Sequence, residues 1–209
     1  MSSDVLPLIF IGIIALPITA VAFGVIAANR RERDRRTRLH AYMADTGWRP
    51  VTEPPPPLVD VAVRSKRTRM AAVKTIDGRD VWMVWHRWTE SDGDSSSTHN
   101  LTRYFLLLGP DYPDVEVKRR TSIGALIKPV RGAGTGDAAF DRAYLIKTAY
   151  EPDAHRLVGP PLRELMLARQ LPTWQIQGGL LRTAMNHEIR IETLQPLADQ
   201  IVHLSRLLG

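Results

Sequence analysis

No cysteine occurs among the 209 residues. Disulfides, thiolate nucleophiles and cysteine-based zinc sites are therefore excluded, and a disulfide-free chain fits a reducing compartment. The usual signatures of other reactions are missing too. There is no Gly-x-Ser-x-Gly elbow, and Ser95 to Ser97 stand in an acidic stretch with nothing to hold an oxyanion. Gly132-Ala133-Gly134-Thr135-Gly136 is followed by Asp137 and Ala138 where a phosphate-cradling Walker loop needs Lys and Ser/Thr, and Asp137 would repel phosphate. The loop is therefore expected to bind no nucleotide. His86, His99, His155 and His187 show neither His-x-His nor His-x-x-x-His spacing, and the carboxylate pairs Asp111/Asp114 and Asp137/Asp141 fall in expected loops. No cofactor, metal site or catalytic residue is indicated, and an enzyme is not the expected reading.

Charge is absent from Val5 to Ala28, where nothing is more polar than Thr19. As a helix this stretch reaches roughly 36 Å, enough to cross a hydrocarbon core of about 30 Å with some tilt. Ala20-Val21-Ala22 imitates a signal-peptide cleavage site, but the N-terminus lacks a positive region and the apolar run continues past that site. An uncleaved single span is therefore expected. Pro7 falls in its first turn; Pro17, in mid-span, removes a backbone hydrogen bond and predicts a kink. Ala20, Gly24 and Ala28 recur every four residues, so one face could admit a second helix and pair two copies of the chain.

Asp4 is the only charged side chain before the span, whereas Arg30, Arg31, Arg33, Arg35, Arg36 and Arg38 crowd its other end. The positive-inside rule then leaves the N-terminus outside and the C-terminal part in the cytoplasm. Formal net charge is +6, and residues 30–38 supply +4 of it, six Arg less Glu32 and Asp34. That concentration beside a bilayer points to anionic lipid head groups; nucleic acid is not the expected partner. Arg64, Lys66, Arg67 and Arg69 form a second basic cluster, read as a solvated face or, more sharply, as a contact with anionic lipid or nucleic acid.

Residues 29–46 keep a helical pattern, with Leu39, Tyr42, Met43 and Thr46 on one face and Gly47 as a stop. Trp48 to Val51 reads as extended, and Pro54 to Pro57 as a stiff connector. Met70 to Ile76, the Asp77-Gly78 turn and Arg79 to Thr89 predict a hairpin. Both faces of 81–88 are apolar apart from His86 and Arg87, so that strand is expected to be central and covered on both sides. Glu90 to Thr98 is expected as a mobile acidic loop, followed by strands at His99 to Leu108 and Val115 to Arg119. Ser122 to Asp137 reads as a loop and Arg142 to Tyr150 as a strand. Asp153 is the expected cap of a helix that resumes after Pro161. Trp174 to Gln177, Leu180 to Met185 and Glu188 to Ile191 read as short strands. Thr193 is the expected cap of a final helix, whose stripe Leu194, Leu197, Ala198, Ile201, Leu204 and Leu208 should pack on the sheet. This order predicts an α+β fold: an N-terminal transmembrane helix (1–28), a juxtamembrane basic helix and proline-rich linker (29–57), and an antiparallel sheet packed with helices (58–209).

Gly47-Trp48-Arg49 at the end of the Arg-rich helix, Phe140-Asp141-Arg142 leading into a strand, and Trp174-Gln175-Ile176 before Gly178-Gly179-Leu180-Leu181 accompany the anchor. Together they resemble a family of single-span actinobacterial membrane proteins with a C-terminal α+β domain, to which no activity is attached. The resemblance implies architecture and no site residue. The function expected is that of a membrane-anchored cytoplasmic interaction or scaffold module with a protein partner. The alternatives are a tethered hydrolase or transferase without a recognisable motif, and a module that binds anionic lipid or nucleic acid.

Overall fold

The computed structural model describes Ala27, residues 30–120 and residues 132–208. The chain divides into two units, Met1–Thr46 and Gly47–Gly209. The expected span, its Pro17 kink and the Ala20/Gly24/Ala28 face lie outside the described residues, as does most of the expected 122–137 loop. Among the described residues no helix is long and apolar enough to cross a membrane.

In the first unit, residues 30–45 form helix α1. Arg36 Nε lies 2.8 Å from Glu32 Oε1 one turn back, and Arg38 Nε donates to the Asp34 carbonyl at 3.4 Å. Arg35 is half-buried and the other five arginines are exposed. At 3.6 residues per turn they spread round the helix: Arg31, Arg35 and Arg38 share one face, and Arg30, Arg33 and Arg36 follow at i, i+3 steps on the other side. Leu39 and Met43 of the expected apolar stripe are buried.

The second unit is built on one antiparallel sheet of eight strands, in the order β1-β2-β3-β4-β8-β7-β5-β6. These are β1 (Arg49–Pro50), β2 (Thr68–Ile76), β3 (Arg79–Asp92), β4 (Ser95–Leu107), β5 (Val115–Arg119), β6 (Tyr144–Thr148), β7 (Trp174–Gln177) and β8 (Leu180–Met185). The Asp77-Gly78 hairpin forms as expected, with φ of 50° and 72° at its two central residues. Helices α2 (Pro57–Val63), α3 (Ala138–Ala143), α4 (Glu151–Leu157), α5 (Pro160–Leu167) and α6 (Ile191–Leu207) complete the unit.

The main core lies between the sheet and α6, which packs on β3, β4 and β8. Val81, Met83 and Trp85 of β3, Tyr104 and Leu106 of β4, and Leu181 of β8 point into it and are buried. Leu194, Ala198, Ile201 and Leu204 meet them as expected; Val202 is buried as well, and Leu197 only half-buried. The Tyr104 hydroxyl donates to the Leu194 carbonyl at 3.3 Å, and burial raises its pKa well above that of an exposed tyrosine. A second, smaller core forms on the opposite face, where α2 places Val59 and Ala62 against Val84, Phe105 and Leu180. Over Val81 to His86, strand β3 is therefore covered on both faces, while its ends are exposed.

Several expectations are corrected. Glu90 to Thr98 is no long loop: β3 runs to Asp92 and β4 starts at Ser95, with Thr89 opposite Thr98 and Glu90 opposite Ser97. A continuous main-chain ladder outweighs the poor strand propensity of Ser and Asp. Arg142 and Ala143 close α3, so that strand begins at Tyr144. Glu188 to Arg190 is irregular and Ile191 opens α6. Thr193 is not its cap: the extended residue before the helix is Arg190, whose carbonyl accepts from Thr193 Oγ1 at 3.2 Å. Asp153 likewise sits inside the first turn of α4, after Tyr150.

Candidate functional site

The face of the sheet away from α6 carries residues of even number on β3 and odd number on β4, because side chains alternate along a strand. Register places Trp82 beside Phe105, Val84 beside Arg103 and His86 beside Leu101, and on the next strand Arg182 beside Phe105. Arg103 and Arg182 are thus diagonal neighbours across β4 and β8. Helix α2 covers only part of this face. Between its Leu58, Val61 and Ala62 and the strands lies a groove of about 410 Å³.

Why α2 forms there is a matter of its first residue. Pro57, the last of the four prolines, occupies the N-terminal turn, where its fixed φ suits a helix and its missing N–H costs nothing. Val59 and Ala62 then turn to the sheet, leaving Leu58 40% and Val61 71% exposed at the groove's mouth. Arg64, past the helix end, is taken up by Asp60 at 2.7 Å. A register shift between Thr68 and Met70 places Arg69 as the extra residue of a bulge, so that Thr68 faces His86 where β2 begins.

His86 is 3% exposed and stands at the centre of a chain of hydrogen bonds. Thr68 Oγ1 donates to the Ala62 carbonyl at 2.7 Å, so it can only accept from His86 Nδ1, 3.3 Å away. Arg103 Nη1, a donor only, lies 3.4 Å from His86 Nε2. The network therefore assigns the proton to Nδ1 and a lone pair to Nε2. Burial lowers the His86 pKa first, and the Arg103 and Arg67 charges lower it further, so the ring is neutral at physiological pH. The Arg103 pKa is lowered too, by burial and then by the like charge of Arg182.

Three guanidinium groups line this groove. Arg67 lies over the Trp88 ring, 4.9 Å from its centroid, and Trp88 stacks on His99 at 5.2 Å. Arg182 bonds the Gln175 side chain. No carboxylate lines the cavity, and among the described residues none pairs with Arg67, Arg103 or Arg182. Glu90, at the edge, accepts from Trp88 Nε1 at 2.8 Å and lies 3.4 Å from His99. Ser65 and Gln177 add two neutral polar side chains, and the rest of the lining is apolar: Leu101, Phe105 and Leu180 on the strands, Leu58, Val61 and Ala62 on α2. Such a surface can hold an anion beside an apolar group. It offers no nucleophile–base pair, since the one histidine spends both ring nitrogens on Thr68 and Arg103.

Of the basic residues singled out in the sequence, only Arg67 lines the groove; Arg30 to Arg38 belong to α1. Arg103 and Arg182 escape sequence reasoning because they stand 79 positions apart, 182 less 103, and meet through β4–β8 pairing. The available signal is an arginine in phase with apolar neighbours, Leu101-x-Arg103-x-Phe105 and Leu180-x-Arg182. His86 and His99 do lie on neighbouring strands, but among the described residues no three potential metal ligands cluster. The glycine-rich loop gives its amides to carboxylates instead of phosphate: Thr135 N to Asp141 at 3.0 Å and Gly134 N to Glu151 at 3.4 Å.

No family model and no curated protein match this chain. Among solved structures it is similar to the mycobacterial trehalose monomycolate transport factor A, at 14% sequence identity and a TM-score of 0.49, over 84% of this chain and 95% of that one.

Proposed function

We propose that this chain is a membrane-anchored module whose cytoplasmic α+β part acts by binding and not by catalysis. The observation that carries the reading is the groove beneath α2, with three guanidinium groups that no carboxylate pairs with among the described residues, set in largely apolar walls. Unneutralised charge with apolar surface around it is the signature of a recognition site. Residues 1–28 serve as the anchor, 29–57 as juxtamembrane helix and linker, and 58–209 as the binding part. The arginines of 30–38 set the orientation and meet anionic head groups through the Arg31/Arg35/Arg38 face. Ala20, Gly24 and Ala28 supply a surface for pairing two anchors.

The test is a comparison of what co-purifies with the full chain from gently solubilised membranes and what co-purifies with Arg103→Glu/Arg182→Glu. A component, protein or lipid, held by the natural chain and lost from the variant is the expected result. Identical companions for both would remove the groove from the function.

A further inference from the structure

We infer that the groove binds the monomer of an anionic single-chain lipid, its carboxylate or phosphate against Arg103 and Arg182 and its acyl chain along Leu58, Val61 and Phe105. The inference rests on the membrane-anchored binding reading and names the ligand. Four observations support this occupant. The charge in the groove is of one sign, and a guanidinium fork matches carboxylate and phosphate oxygens pairwise. The volume of about 410 Å³ falls within the range for small-molecule sites. The strands beneath are hydrogen-bonded on both sides, β3 to β2 and β4, β4 to β3 and β8, so no edge is free for an added peptide strand. Leu58 and Val61 are exposed beside the charges, which continues the apolar wall out of the groove as a chain longer than the cavity requires.

Each partner has its work defined by the geometry. Arg103 is half-buried, already bonded to His86 and repelled by Arg182, so an oxyanion there relieves a like-charge contact and gains a donor from each side. Arg67, held over Trp88, closes the polar end without entering the apolar part. The acyl chain displaces water from the aliphatic surface of Leu58 and Val61, which the fold leaves exposed.

The test uses the full chain in nanodiscs of neutral lipid, with dodecanoate, dodecanol and acetate as probes, binding being read from the fluorescence of the tryptophans. Dodecanoate should bind at least about tenfold more tightly than dodecanol, the difference shrinking with salt, and acetate should not compete. Arg103→Gln/Arg182→Gln should abolish that preference and leave dodecanol unchanged; Arg67→Gln, at an exposed position, should reduce it without risk to the fold. Val61→Ser should weaken both long-chain probes. Equal binding of dodecanoate and dodecanol, or a preference untouched by the Gln variants, would overturn the inference. If the charge-reversed pair loses a co-purifying protein while the Gln pair still prefers dodecanoate as before, the groove takes an acidic peptide: the binding reading then stands and the lipid assignment falls. If neither assay responds to the arginines, both fall.

Discussion

His86 is where the site's electrostatics meet the stability of the fold. Its Nε2 faces a permanent donor, so a protonated ring would set two donors against each other in a buried place. The folded pKa is lowered, so the stability tied to this residue is fully present above the unfolded value of about 6.5 and is lost as pH falls below it, because the unfolded chain takes the proton first. Urea titrations across that range should show stability falling with pH, and His86→Gln should flatten that part of the slope; parallel curves would show that His86 is not the group responsible. A second residue-scale prediction concerns Gly179. It sits at φ +72°, and an added Cβ would lie 2.1 Å from the Gly109 carbonyl oxygen. Gly179→Ala should cost at least about 1–2 kcal/mol from the backbone conformation alone, plus whatever the Gly109 turn loses by moving. A melting temperature unchanged by the substitution would contradict the packing of these two loops. The Gly178-Gly179 turn was legible from its glycines, but the neighbour that makes Gly179 obligatory lies 70 positions upstream, 179 less 109, and no local pattern reveals it.

Among the elements, those with a strong period were readable and those placed by tertiary context were not. The Asp77-Gly78 hairpin, β5, β7, β8 and the stripe of α6 follow from alternation or from i, i+3, i+4 spacing. Helix α2 did not, because four consecutive prolines read as a connector while the last of them is a helix start. The outer halves of β3 and β4 were equally hidden. Their Ser and Asp residues prefer turns, and only pairing with each other, helped by the Trp88–His99 stack, keeps them extended. Within α6 the burial pattern sets an order of sensitivity. Ile201 is fully buried against the sheet and Leu197 only half-buried, so Ile201→Ala should cost roughly 2–5 kcal/mol and Leu197→Ala distinctly less. Thermal melting of the two variants checks this, and equal losses would mean that the helix is rotated from the position described.

For the molecule as a whole, the proposed function joins the apolar run from Val5 to Ala28, the arginines that follow it and a groove suited to an anionic, partly apolar ligand in one proposed place of work, the cytoplasmic surface of a bilayer. The expected orientation rests on charge counts at the two ends of one run, which the sequence alone supplies. The groove was not, since it needs α2, β3, β4 and β8 to be assembled before Arg103 and Arg182 share a face. A reporter that works only outside the cytoplasm, fused to Gly209, should be silent; activity there would put the binding part on the other side of the membrane. The most direct check on the account is the titration of the His86 ring, followed by NMR in the full chain in neutral-lipid nanodiscs with and without dodecanoate. Without it, His86 should titrate below the ordinary histidine range; with it, a carboxylate beside Arg103 should raise the His86 pKa, and Arg103→Gln/Arg182→Gln should remove that rise. A His86 titration indifferent to dodecanoate would contradict the claim that this groove is an anion-binding site.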